Sequence, residues 1–161
     1  MIMNNVYLLL GSNIGDSKAH LSTAKINIEN KLGQIVKSSS IYKTEAWGNK
    51  NQPAFLNQVI IIETLLDPEQ TIEGIFAIEE KMGRKRTVKN APRIIDIDIL
   101  FFNSEVIKTG NLTVPHPEIQ NRRFVLFPMT ELSPDFTHPV MHKKMHCLLE
   151  DCTDKLNVQK I

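Results

Sequence analysis

The stretch Pro92-Arg93-Ile94-Ile95-Asp96-Ile97-Asp98-Ile99-Leu100-Phe101-Phe102 constrains this chain more than any other. It reads as a buried β-strand that carries two acids where a strand core asks for apolar side chains. Side chains alternate faces along a strand, so Asp96 and Asp98 share one face and Ile95, Ile97 and Ile99 the other. Two neighbouring carboxylates repel each other and resist burial. A cation beside them resolves the conflict. Mg²⁺ prefers carboxylate oxygens, commonly one or two of them together with substrate phosphates. Asp96 and Asp98 are therefore the candidate metal ligands.

The approach to this strand is basic. Lys81, Arg84, Lys85, Arg86, Lys89 and Arg93 stand against Glu79 and Glu80 between residues 79 and 93. Arginine forks match phosphate oxygens, so a basic loop feeding an acidic strand suggests a magnesium–phosphate site. The net charge of the whole chain is only +1. That balance gives no global reason to expect nucleic acid or an acidic membrane as partner.

The 161 residues suit one domain, residues 1–161, large enough to bury roughly two-thirds of its unfolded surface. Cys147 and Cys152 lack the spacing of a zinc or redox motif. The apolar run at Val6–Leu10 is too short to span a bilayer and lacks a basic start. The expectation is a cytoplasmic monomer with no nucleic-acid or membrane partner.

Period and punctuation give an element order. Val6–Leu10 reads as a first strand, with Asp16 or Ser17 capping a helix whose stripe is Leu21, Ala24, Ile28 and Leu32. Ile35–Thr44 and Phe55–Glu63 read as strands around a loop from Glu45 to Pro53. Asp67-Pro68 opens a second helix, with Ile72, Ile75, Phe76 and Met82 as its inner stripe, ended by Gly83. The acidic strand comes next, then a hairpin around Asn103-Ser104, a loop from Leu112 to Asn121 and a helix over Arg123–Leu132. The order βαββαβ defines an α+β, ferredoxin-like core: a mainly antiparallel sheet with helices packed on it, here with a C-terminal extension.

Further residues carry chemistry. Glu79 falls near the inner stripe of its helix and close to the helix C-terminus, where an anion is disfavoured; pairing with Arg84 or Arg86 would account for it. Pro115-His116-Pro117 presents one imidazole on a rigid loop, either as a cation on phosphate or as a neutral donor. Arg122 and Arg123 stand beside Phe124. Trp47, Phe55 and Phe124 can frame a slot for a flat heterocycle, with Asn57, on the same strand face as Phe55, reading its edge.

Together these motifs resemble the family of 6-hydroxymethyl-7,8-dihydropterin pyrophosphokinases of folate biosynthesis. The resemblance rests on residues 89–100 and on Gly11-Ser12-Asn13, Phe55-Leu56-Asn57, Glu79, Gly83-Arg84-Lys85-Arg86, Leu112-Thr113-Val114-Pro115-His116 and Asn121-Arg122-Arg123-Phe124. It implies transfer of the terminal pyrophosphoryl group of ATP to the pterin hydroxymethyl oxygen, with release of AMP. It implies two Mg²⁺ ions on Asp96 and Asp98, and a catalytic set of Arg84, Arg93, Asp96 and Asp98. Arg84, Arg86, Lys89, Arg93, Leu112, Thr113, His116 and Arg122 would contact ATP. Thr44, Trp47, Phe55, Asn57, Asp96 and Phe124 would hold the pterin, with Glu79 in support. Loops near 48–51 and 85–91 would close over the substrates.

Two other readings share the pattern. Nucleotidyl-transfer palm and cyclase domains also place acids on strands of ferredoxin-like sheets, but release pyrophosphate. A non-enzymatic ferredoxin-like ligand-binding module is the other. An RNA-binding version would ask for stacking aromatics on central strands and a wider basic surface, where this chain places acids.

Overall fold

A computed structural model describes residues 2–45, 51–85 and 92–161. Eight strands and four helices are present among these residues. β1 (Asn4–Ser12), β4 (Phe55–Thr64) and β5 (Asp96–Phe102) form the centre of one sheet, with β1 between the other two. β2 (Gln34–Ser38) and β3 (Tyr42–Thr44) lie end to end along the far side of β4. β8 (Val158–Lys160) adds to β3 as the outer strand. All these pairings are antiparallel. The two βα crossovers interlock: β1 leads through α1 (Ser17–Lys31) past β4, and β4 leads through α2 (Pro68–Lys81) past β1.

Local chemistry sets the helix starts. Asp16 accepts from Ala19 N at 3.1 Å and caps α1. Asp67 and Gln70 form a reciprocal capping box at the start of α2, with Pro68 in its first turn. Gly83 comes just after α2 with φ +89°, a left-handed conformation that favours glycine. Gly33, after α1, answers a different need. A Cβ there would lie 2.1 Å from the Glu63 carbonyl oxygen, so the turn passes too close to β4 for any side chain.

The sheet buries both faces. Val6, Leu8, Leu10, Ile60, Ile62, Ile97 and Ile99 pack beneath α1 and α2. Tyr7, Leu9, Val59, Ile61, Leu100 and Phe101 pack beneath α3 (Arg123–Leu132) and α4 (Met145–Asp151). A β-bulge at the β1–β5 pairing separates Tyr7↔Phe101 from Leu8↔Ile99, leaving Leu100 as the extra residue. The bulge lets Leu100 and Phe101 both serve the second core while Ile97 and Ile99 stay in the first.

The structure revises several expected elements. The run 35–44 is two strands, because the chain leaves the ladder at residues 39–41, where Ser39 Oγ accepts from Val59 N at 3.0 Å. Regular pairing of the acidic strand begins at Asp96 rather than Pro92. Asn103, with φ 51°, turns the chain, but β5 does not pair with the next strand. The hairpin is β6 (Ile107–Lys108) with β7 (Thr113–Val114). On α2 the buried stripe is Thr71, Ile72, Gly74, Ile75, Ile78 and Glu79, whereas Phe76 is exposed. The C-terminal extension does more than extend the chain: α4 completes the second core and β8 completes the sheet. Among the described residues no helix is long and apolar enough to cross a membrane.

Candidate active site

Register alone assembles the floor of a cavity. Gly11 on β1 pairs with Asp96 on β5 and with Asn57 on β4, so the three make one rung across the sheet. Leu9 pairs with Asp98 on the next rung, and Thr44 with Phe55 at the sheet's end. These side chains share the face that carries Leu9 and Val59. Gly11 contributes no side chain, and a Cβ there would approach the Asn57 Oδ1 to 2.8 Å. The missing Cβ leaves a hollow between an acid and an amide. Around it stands a cavity of about 440 Å³.

The first end of the cavity is charged. Arg84, just past α2, donates from one nitrogen, Nη1, to Glu79 Oε2 and to Asp96 Oδ1, the latter at 2.7 Å. Arg93 Nη1 reaches the other Asp96 oxygen, Oδ2, at 3.1 Å. Both oxygens of Asp96 are thus held by arginine. Glu79 is 2% exposed and also accepts from Ile97 N at 2.9 Å, a backbone donor on the outer side of edge strand β5. An acid on a helix is thereby explained: it satisfies a sheet edge and orients Arg84. Asn13 fixes Arg93, accepting from its N–H at 2.9 Å and donating from its own N–H to the Arg93 carbonyl at 3.2 Å.

Asp98 differs from Asp96. No described residue donates a hydrogen bond to its carboxylate, and burial, then Asp96 and Glu79, push its pKa well up against the opposing pull of Arg122 and Arg84. Burial alone would lower the Arg84 pKa, yet Asp96 and Glu79 raise it, so its cation is secure. The His116 N–H bonds the Leu100 carbonyl at 3.0 Å and holds its loop against the β5 edge. The ring Nδ1 accepts from Glu118 N at 3.1 Å, so the neutral ring carries its proton on Nε2. Burial and Arg122 push the His116 pKa down, and the neutral donor is the favoured form of the two expected.

Beside the charged groups stand aromatic and amide-bearing side chains. Phe55 and Phe124 both line the cavity, with the Arg93 guanidinium 5.9 Å from the Phe55 ring centre and that of Arg122 5.7 Å from the Phe124 ring centre. Between them, Asn57 (4% exposed) and Thr44 (3% exposed) bury polar atoms. Asn57 Nδ2 and Thr44 Oγ1 find no hydrogen-bond partner among the described residues. A buried donor left open costs about 1–3 kcal/mol unless a ligand or water meets it.

Every expected site residue among the described ones lines this cavity: Thr44, Phe55, Asn57, Glu79, Arg84, Arg93, Asp96, Asp98, Leu112, Thr113, His116, Arg122 and Phe124. Trp47, Arg86 and Lys89 lie outside the described residues, as do most of the expected closing loops. Sequence reasoning named Gly11 and Asn13 only within a motif and gave neither a role in the site. Phe76, assigned to the core, instead lines the cavity with Ile72. The signal for Gly11 existed: a glycine inside an otherwise apolar strand marks a close approach.

Paired acids beside arginines, with aromatic rings and open amide and hydroxyl groups lining the same cavity, are the groups that a nucleotide-dependent transferase on a ferredoxin-like frame would need. Known proteins fix the class more narrowly. The family model described as 7,8-dihydro-6-hydroxymethylpterin-pyrophosphokinase (HPPK) matches residues 7–134. The 2-amino-4-hydroxy-6-hydroxymethyldihydropteridine pyrophosphokinase of Aquifex aeolicus is 42% identical over 143 residues, covering 89% of each chain. That of Bacillus subtilis is 43% identical over 132 residues, covering 81% of this chain and 79% of the other. A crystal structure of a Plasmodium falciparum HPPK-DHPS triple mutant with STZ-DHP shares the fold, with a TM-score of 0.77 and 19% identity. It is matched over 93% of this chain and 43% of its own length. This chain also spans only 21% of the Schizosaccharomyces pombe folic acid synthesis protein fol1, at 40% identity.

The chain belongs to the 7,8-dihydro-6-hydroxymethylpterin-pyrophosphokinase family. With that family it is an ATP-dependent pyrophosphokinase that acts on hydroxymethyldihydropterin in folate biosynthesis.

Proposed function

We propose that this cavity holds both substrates and that its two ends divide the work of pyrophosphoryl transfer. ATP lies at the charged end. Arg84, Arg93 and Arg122 meet its phosphates, His116 donates from Nε2, and Leu112 and Thr113 meet the base and ribose. The pterin lies between Phe55 and Phe124, its amide edge on Asn57 and Thr44. The hydroxymethyl oxygen attacks the β-phosphorus and gives up its proton to solvent, the bond from that phosphorus to the oxygen bridging the α-phosphate breaks, and AMP leaves with that oxygen.

The observation that carries this reading is the contrast between the two acids. Asp98 offers a carboxylate with no donor among the described residues, in a place that raises its pKa, which suits a cation ligand. Asp96 offers its oxygens to two arginines. The donor set fits Mg²⁺, with Asp96 and Asp98 as its ligands and two ions as the expected number. Bound there, Mg²⁺ would neutralise phosphate charge and the charge that gathers on the leaving oxygen. With Mg²⁺ held there, Asp96 would release its arginine partners, leaving Arg84 and Arg93 free to meet phosphate. Glu79 keeps Arg84 aimed during that exchange. Catalysis is positioning plus charge stabilisation, because transfer at phosphorus asks for little covalent participation by the protein.

The acting unit proposed is one domain, residues 1–161, working as a monomer in the cytoplasm. The assay is direct. Purified protein with Mg²⁺, ATP and 6-hydroxymethyl-7,8-dihydropterin should yield AMP and pterin diphosphate in equal amounts, and EDTA should stop the reaction. ADP or free pyrophosphate as the nucleotide-derived product would refute it.

A further inference from the structure

The family match ends at residue 134, yet the chain beyond it bonds Arg123, which stands between two residues that line the cavity. Asp154 lies in the segment between α4 and β8. Its Oδ2 accepts from the backbone N–H of Arg123 at 3.0 Å, across 31 residues. Arg123 is the first residue of α3 and sits between Arg122 and Phe124, which both line the cavity. The N-cap residue itself, Arg122, supplies no side-chain bond to the helix. A carboxylate from elsewhere in the chain therefore does the capping, favoured by the positive end of the helix.

The same segment grips β3. Asp154 Oδ1 accepts from Leu156 N at 3.0 Å, and the Leu156 carbonyl accepts from Arg123 Nη1 at 3.1 Å. The Arg123 guanidinium rests 5.1 Å from the Phe127 ring centre. β8 then pairs with β3, setting Val158 against Thr44 and Lys160 against Tyr42. Ile161 N donates to the Ile41 carbonyl at 3.0 Å. At the far end of α3, Tyr42 donates to Glu131 at 2.6 Å. The helix is thus tied to β3 at both ends, and the tie beside Phe124 runs through Asp154.

We infer that Asp154 is a positioning residue of the pterin pocket: by capping α3 and leading into β8, it fixes the spacing between Phe124 and Thr44. The inference rests on the placement of the pterin between Phe55 and Phe124. The pterin depends on both of the walls that this clamp sets. Of the proposed phosphate contacts, Arg84, Arg93 and His116 are not touched by the clamp, and only Arg122, the residue before Arg123, stands beside it.

The test is steady-state kinetics on full-length Asp154→Ala, Asp154→Asn and, in parallel, Asn57→Ala, each with a thermal melt. Loss of a cap is expected to raise the pterin KM about fivefold. The ATP KM should change less than twofold. Asp154→Asn retains one acceptor oxygen and should fall between wild type and Ala; should the Ala variant not fold, Asn carries the test. A lower apparent kcat with both KM values unchanged, or equal shifts in the two, would mean a merely structural role and overturn the inference. Asn57→Ala separates the two readings. If it raises the pterin KM while Asp154 variants do not, the clamp fails and the pocket stands. If it leaves the pterin KM unchanged, the pocket assignment falls and the clamp with it.

Discussion

Asp98→Asn should make the magnesium-free protein more stable while ending its activity. Asp96 and Asp98 sit two residues apart on one strand, roughly 7 Å between side chains. At an effective dielectric near 20, two like charges at that separation repel by about 2 kcal/mol. Glu79 adds to the repulsion, and Arg122 and Arg84 oppose it. Asp98 receives no hydrogen bond from a described residue, so an amide in its place forfeits none of these. The net gain is about 1–2 kcal/mol, which for a domain of this size raises Tm by about 3–6 °C. Calorimetry in EDTA at neutral pH measures it. The Asp98 pKa is raised in the folded state, so protonation favours folding. The wild-type deficit is present above that raised pKa and is relieved as pH falls through it. The gap between variant and wild type should close accordingly. With Mg²⁺ and ATP added, wild type should gain stability and the variant should not, and turnover should fall at least about a hundredfold. A variant that melts below wild type in EDTA, or that keeps activity within tenfold, would refute the argument.

Gly11→Ala should fold yet bind pterin poorly. Its new methyl meets the Asn57 Oδ1 at 2.8 Å, and the carboxamide must turn away, raising the pterin KM roughly five- to tenfold at the value of one or two hydrogen bonds. An unchanged pterin KM would show that Asn57 is not the reader. His138→Asn tests a buried imidazole far from the chemistry. His138 Nδ1 accepts from Val140 N at 3.1 Å and Met141 N at 3.0 Å, and burial and His142 lower its pKa. A depressed histidine pKa gives stability that is present above pH ~6.5 and lost as pH falls through the folded value. Asn keeps an acceptor and cannot titrate, so its stability should fall less between pH 6.5 and 5 in denaturant titrations. Parallel curves for variant and wild type would dismiss the assignment.

Much of the site could be read from the chain because its chemistry lies in short motifs. Asp96 and Asp98 face one way by the period of two, and Asn57 joins Phe55 for the same reason. Capping chemistry marked the starts of α1 and α2. Less local features escaped. Phe76 fits the apolar spacing of α2, but the helix turns it towards the cavity. β8 is only three residues long and two of them are polar, and it becomes a strand only because β3 offers a free edge. The hairpin expected at Asn103 needs an open partner edge on β5. There Glu79 already bonds Ile97 N and the His116 N–H already bonds the Leu100 carbonyl.

The sequence by itself determined that two acids share one strand face, that arginines precede them and that a βαββαβ order carries them. Those are properties of neighbours along the chain, set by backbone geometry. Only the tertiary structure decided that Asp96 is held by two arginines while Asp98 receives no bond from a described residue. It alone set Gly11 on the rung between Asp96 and Asn57, and brought Asp154 back to cap the helix that carries Phe124. Those facts depend on register between strands and on which edges remain unpaired. Both are fixed by the packing of segments that are distant in sequence.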